Sequence, residues 1–227
     1  MGTDNLFKKR REAREKRKYE FKKPKANSYL IVTEGTRTEP LYFNGIKKLI
    51  EEKPGGIICV AEVPSIDIQG KGCSTEKLIE FTDQMVQNAK IPYQYIWIVF
   101  DKDDFEDFDD AIEMGIKKGY HIAWSNQSFE YWLYLHFNYS DSALHRNEWN
   151  KKLDEIFKQY HLGEGRYKKN DKNIYFLVDS YQGVKTAIQN AKRRMAEFKP
   201  ERCKPSAYDP GTMVYQLVEE LKSYLDE

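Results

Sequence analysis

The chain has 227 residues, is 40% hydrophobic and 32% charged, and carries a net charge of +1; this suits one well-packed domain with an appendage, or two small domains sharing an interface. It contains no run of 18 or more apolar residues, which excludes a membrane-spanning helix, and its start lacks the apolar core of a secretion signal. The three cysteines, Cys59, Cys73 and Cys203, are odd in number and lack metal-ligand spacing, so a reduced, cytoplasmic setting without disulfides is expected.

The first element is a basic arm. Between Lys8 and Lys25 stand 11 Lys/Arg against three Glu, which leaves 26 basic and 33 acidic residues for the rest of the chain. With so few apolar positions to bury, residues 1–27 are expected to be a disordered or solvated helical arm that attracts phosphates or an acidic partner. Such tails are more often merely solvated or sticky.

Beyond the arm, short β-rich runs alternate with longer helical ones. Leu30 to Thr33 reads as a buried strand, followed by Glu34-Gly35 and then by Glu39. Pro40 to Glu52 reads as a helix with Leu41, Ile46, Leu49 and Ile50 largely on one face. Pro54-Gly55-Gly56 ends it, and Ile57 to Val63 reads as a second strand. The stretch Asp67 to Thr75 reads as a glycine-rich loop opening onto a helix, Glu76 to Asn88, capped by Ser74 or Thr75. Its position before a helix suits an anion. It lacks the spacing of a P-loop, however, and an ordinary connection is the simpler reading.

Tyr95 to Phe100, YIWIVF, is a continuous apolar run of the kind buried on both faces of a parallel sheet. It leads into DKDDFEDFDD, then a helix over Asp109 to Lys118 and a further strand over His121 to Ser125. This alternation predicts an α/β fold with a mainly parallel sheet flanked by helices. The expected core covers about 28–137 and a helical extension about 138–227, together one domain of residues 28–227.

Residues two apart in an extended chain point the same way. Asp101 and Asp103 are therefore expected to project together from the carboxyl end of their strand, where open α/β sheets place their ligands. Two carboxylates so close repel unless a proton or cation lies between them, and a hard ion such as Mg²⁺ suits them, with Asp104 as a further ligand. An acidic, solvated turn accounts for Asp-x-Asp equally well. Glu106, Asp107, Asp109 and Asp110 read as a loop and a helix start.

Ser125 to Phe137, SNQSFEYWLYLHF, reads as a strand end and a helix apolar nearly all round, hence buried, with Glu130 and His136 as its polar exceptions. A buried Glu130 needs a partner, whereas His136 reads as a satisfied core histidine. Asn147 to Tyr160 is a polar helix. GEGRYKKNDKNIYF then gathers Arg166, Lys168, Lys169 and Lys172, the one concentrated basic patch outside the arm. Lys168 or Lys169 is a candidate for phosphate contact or transition-state charge, and the sequence does not choose between them. Apolar stripes over Gln182 to Phe198 and from Val214 to Leu225 read as core or partner-binding faces.

Glu34-Gly35 after one apolar strand and Asp101-Lys102-Asp103 after another resemble the Toprim domain of topoisomerases, bacterial primases and OLD-type nucleases. More closely, TEGTRTEPLYF, FDKDDF, SNQSFEYWLYLHF and YDPGTMVYQLVEEL resemble, in that order, the RloB family of Toprim-like proteins from bacterial restriction and abortive-infection loci. The resemblance runs from Tyr29 to Leu225. It implies Mg²⁺- or Mn²⁺-dependent phosphodiester cleavage of DNA or RNA in anti-phage defence, beside an ABC- or AAA-type ATPase. Glu34 would be general acid/base or metal ligand, Asp101 and Asp103 metal ligands, and Glu39 a support for a second ion. It also gives Glu130 a place at or behind the site. A HAD-like phosphatase shares the strand-then-Asp-x-Asp pattern, but this chain has Phe105 where that family places Thr or Val. A non-catalytic module that holds nucleic acid or the ATPase through the arm is the third reading.

Overall fold

The computed structural model describes residues 28–52, 65–70, 75–90, 92–102, 107–199 and 203–226. The arm, the strand expected over Ile57 to Val63, and Asp103 and Asp104 lie outside them. Four strands, β1 (Ser28–Thr33), β2 (Ser65–Gly70), β3 (Tyr95–Lys102) and β4 (His121–Asn126), form one sheet in the order β2-β1-β3-β4. The three pairings between these strands are all parallel.

Both faces of the sheet are covered, and each central strand divides its side chains between them. Tyr29 and Ile31 of β1, Trp97 and Val99 of β3, and Ala123 of β4 belong to one core layer. Leu30, Val32, Ile98, Phe100, Ile122 and Trp124 belong to the other. This explains the uninterrupted apolar runs, because a strand with no wet face has no reason to alternate. The crossover helices follow suit. Helix α1 (Thr38–Glu52) sends Tyr42, Phe43, Ile46 and Ile50 into the first layer. Helices α2 (Thr75–Asn88) and α3 (Phe108–Lys117) send Leu78, Ile79, Phe108 and Ala111 into the second. Leaving β1 toward β2 and then crossing back toward β3 puts successive right-handed connections on opposite faces.

One expectation is overturned. Asp67 to Gly70, read as the start of a glycine-rich loop, is the second half of β2, with Ile68 opposite Ile31 and Gly70 opposite Thr33. The glycine that reads as a turn signal instead allows a close approach: a Cβ on Gly70 would lie 2.8 Å from the Gly35 carbonyl oxygen.

Most of the second half of the chain packs onto the first layer, while Met195, Phe198 and Tyr208 join the second. This half comprises α4 (Phe129–Tyr134), α5 (Arg146–Gln159), α6 (Ile174–Val178), α7 (Gly183–Met195) and α8 (Val214–Asp226). Trp132, Trp149, Phe157, Tyr175, Val184, Leu217 and Leu221 are all buried there. Helix α8 reaches back to the first strand, where the Tyr29 hydroxyl donates to Glu220 Oε1 at 2.7 Å. The segment before α8 closes the outer edge of β4: Asn126 N–H donates to the Gly211 carbonyl at 2.8 Å and Met213 N–H to that of Trp124 at 2.7 Å. Covering the edge in this way removes a template for strand addition.

His136 is the buried, satisfied histidine that its apolar helix suggests. Its Nδ1 lies 3.0 Å from the Trp132 carbonyl, which can only accept, so Nδ1 carries the proton and Nε2 accepts from the Tyr42 hydroxyl at 3.0 Å. Burial drives its pKa down to about 3. Between about 6.5 and 3 the unfolded chain therefore holds a proton the fold rejects, so stability falls as pH drops through that window. Urea unfolding at pH 7 and pH 4.5 should show this group costing about 3 kcal/mol at the lower pH. His136→Gln, which keeps an acceptor for Tyr42, should remove most of that acid-dependent loss.

Candidate active site at the carboxyl edge of the sheet

The order β2-β1-β3-β4 reverses direction between β1 and β3, and it is outside the carboxyl ends of such a pair that open sheets bind ligands. Glu34 directly follows β1. Its N–H donates to the Val99 carbonyl at 2.8 Å, extending the β1–β3 ladder by one bond. Its carboxylate Oε2 accepts the Asp101 N–H at 3.1 Å. The two acids are thereby fixed to each other by backbone, at the ends of adjoining strands.

Asp101 shares the alternation of Trp97 and Val99 and so faces the layer that holds α1 and α4. Its Oδ2 accepts the N–H of Phe129, the first residue of α4, at 2.9 Å. Helix α4 then places Glu130, only 3% exposed, beside it. Helix α1 contributes Glu39 from its first turn. The Glu39 carboxylate lies against the Gly35 Cα, where a Cβ would come within 2.1 Å of Oε2. Glu34, Glu39, Asp101 and Glu130 thus come from four separate segments of chain.

The electrostatic consequence falls on Asp101. Burial, followed by the charges of Glu39 and Glu130 and then Glu34, pushes its carboxyl well above the ordinary range, while the Phe129 N–H pulls the other way. Among the described residues no three Asp, Glu, His or Cys side chains stand as a ready-made metal site. The donor set nevertheless fits a hard divalent cation, since it is all carboxylate oxygen and its central member is raised by three like charges.

The two candidate lysines part company. Lys168 pairs with Glu164 on its own loop. Lys169 bonds to Glu130 Oε1 at 2.8 Å. The same Glu130 oxygen accepts the Tyr167 hydroxyl at 3.0 Å, and the Thr38 hydroxyl lies 3.3 Å from that of Tyr167 and donates to the Lys169 carbonyl at 3.1 Å. Burial and the Glu130 charge hold the Tyr167 phenol well above its usual range, so it stays a neutral donor. Sequence reading misses Thr38 and the role of Tyr167. Both are polar residues beside a charged neighbour, and only their pairing across the fold distinguishes them.

Fold and site together define a parallel α/β protein with an acid cluster at the reversal point of its sheet. The chain belongs to the RloB-like protein family, whose sequence profile matches residues 29–221, a span that includes every acid of the cluster and Lys169. No curated protein and no solved structure matches it.

Proposed function

We propose that this protein is a Mg²⁺- or Mn²⁺-dependent nuclease with a Toprim-like core, cleaving DNA or RNA as the effector of an anti-phage system. The observation that carries the reading is the Glu34–Asp101 junction, which joins the acids at the ends of β1 and β3 by a backbone-to-carboxylate bond. Asp103 and Asp104 are the further ligands that the Asp-x-Asp pattern suggests in this reading. The bound ion would polarise the phosphoryl group and lower the pKa of a water. Glu34, at the rim of the sheet, takes the proton from the attacking water. Asp101 and Glu39 would hold the ion, with Asp103 as the further ligand expected from the sequence. The lysine beside Glu130 faces the phosphate charge, and Tyr167 orients Glu130. The defence setting and the ATPase partner rest on family resemblance alone.

Three readings separate in one set of assays on mixed single- and double-stranded DNA and RNA with Mg²⁺, Mn²⁺ or EDTA. Wild type should cleave only with metal, and Glu34→Gln should reduce the rate by at least about a hundredfold, the usual scale of an acid–base group. A phosphatase would instead hydrolyse a small phosphomonoester and be indifferent to Glu34→Gln. Among the described residues the Asp101-bearing strand follows β1 and β2, which does not match the first-strand motif of that class. Deleting Met1 to Lys25 should leave cleavage in place, whereas a binding module working through its arm would lose its only activity.

A further inference from the structure

The ion pair between Lys169 and Glu130 joins groups of unlike mobility. Glu130 is buried, with its side chain 4% exposed, while the Lys169 side chain is 53% exposed. The root of that lysine is fixed: Thr38 donates to its carbonyl, and two residues earlier the Tyr167 N–H donates to Asp154 Oδ1 at 2.8 Å. A half-exposed side chain on a pinned backbone has room to change rotamer without the loop moving.

Its partner carboxylate is also one of the three whose charge raises Asp101. The ammonium and an incoming divalent cation therefore answer the same excess of negative charge, and each weakens the attraction felt by the other. The other donor on Glu130, Tyr167, is a neutral phenol and brings no charge to the cluster.

We propose that Lys169 is an exchangeable internal counter-ion. It rests on Glu130 while the acid cluster holds no divalent ion, gives up that place when the ion binds, and then stands free at the rim to meet a phosphate oxygen of the substrate. This rests on the metal-dependent reading above and adds a coupling between ion binding and the release of a phosphate-seeking group. Lys168, tied to Glu164, has no such part.

The test is Mn²⁺ titration by calorimetry, with metal-free melting temperatures, for wild type, Lys169→Gln, Lys169→Arg and Lys168→Gln. Lys169→Gln should bind Mn²⁺ about three- to tenfold more tightly, the scale of one half-exposed ion pair, and should melt a few degrees lower in EDTA. Lys169→Arg, which keeps the charge, and Lys168→Gln should stay close to wild type in both readouts. If wild type binds Mn²⁺ and Lys169→Gln binds it equally or more weakly, the counter-ion role is overturned while the metal site stands. If no variant binds Mn²⁺, the metal-dependent reading fails and this inference fails with it.

Discussion

Asp101→Asn should make the metal-free protein more stable and its chemistry vanish. Asparagine keeps an acceptor oxygen for the Phe129 N–H, the bond that seats Asp101 against α4, but removes the charge that Glu39, Glu130 and Glu34 oppose. A carboxyl raised in the fold costs stability as pH climbs above its unfolded value near 3.9 and the unfolded chain sheds a proton the native state retains. In EDTA at pH 7 to 8 the variant should therefore melt higher than wild type, by about 2–4 °C for each kcal/mol of relieved strain in a domain of this size. The gap should close as pH falls toward 4. Adding Mg²⁺ or Mn²⁺ should reverse the order, because wild type gains binding energy in its native state and the variant does not. Cleavage should fall by about a thousandfold or more, equivalent to about 4 kcal/mol of barrier. An Asp101→Asn protein that melts lower than wild type in EDTA would show that the carboxylate is satisfied without a cation.

Gly35→Ala should also damage the site, but with little change in the stability of the metal-free fold. The methyl would sit 2.1–2.4 Å from the carboxylate atoms of Glu39 and must displace them. Because those atoms end a flexible side chain, the fold yields cheaply, and alanine removes some freedom from the unfolded chain. Stability should change by less than about 1 kcal/mol. Mn²⁺ affinity should fall by about ten- to a hundredfold, as when a group that positions a metal ligand is lost. The double variant Gly35→Ala/Glu39→Ala should be no worse than Glu39→Ala alone, since both disturb one carboxylate and their effects should not add. Additive losses would mean that Gly35 serves the backbone of the turn, in which the Thr33 hydroxyl donates to the Gly35 carbonyl at 2.8 Å, rather than making room for Glu39.

The acids behind these two outcomes are legible in the sequence. Glu34 and Asp101 each follow an apolar β-rich run, and a strand's end fixes where the next side chain goes. The helical stripes of α1, α2, α7 and α8 are legible for a similar reason, since a period of 3.6 shows directly in the order of apolar residues. Strand β2 is not. Its closing glycine carries the mark of a turn, and only the crossing of the β1 turn over it shows why a side chain is excluded there. The choice between Lys168 and Lys169 is equally hidden. Gly163 and Gly165, with φ of +55° and +75°, turn the chain just before them, and no periodicity survives such a turn to say which lysine faces the acids. Thr38 and Tyr167 are 129 residues apart, a pairing with no local signature.

The bond between Tyr29 on β1 and Glu220 on α8 has a consequence for how the protein is made. A chain emerging from the ribosome presents every acid of the cluster by residue 130, yet β4 keeps an open edge until residues 211–213 arrive, and the layer beneath Asp101 gains α8 later still. Contacts of such long sequence separation slow folding, because the loop-closure entropy is lost before they form. A prematurely terminated product would hold the acids of the cluster without the layer that α8 completes.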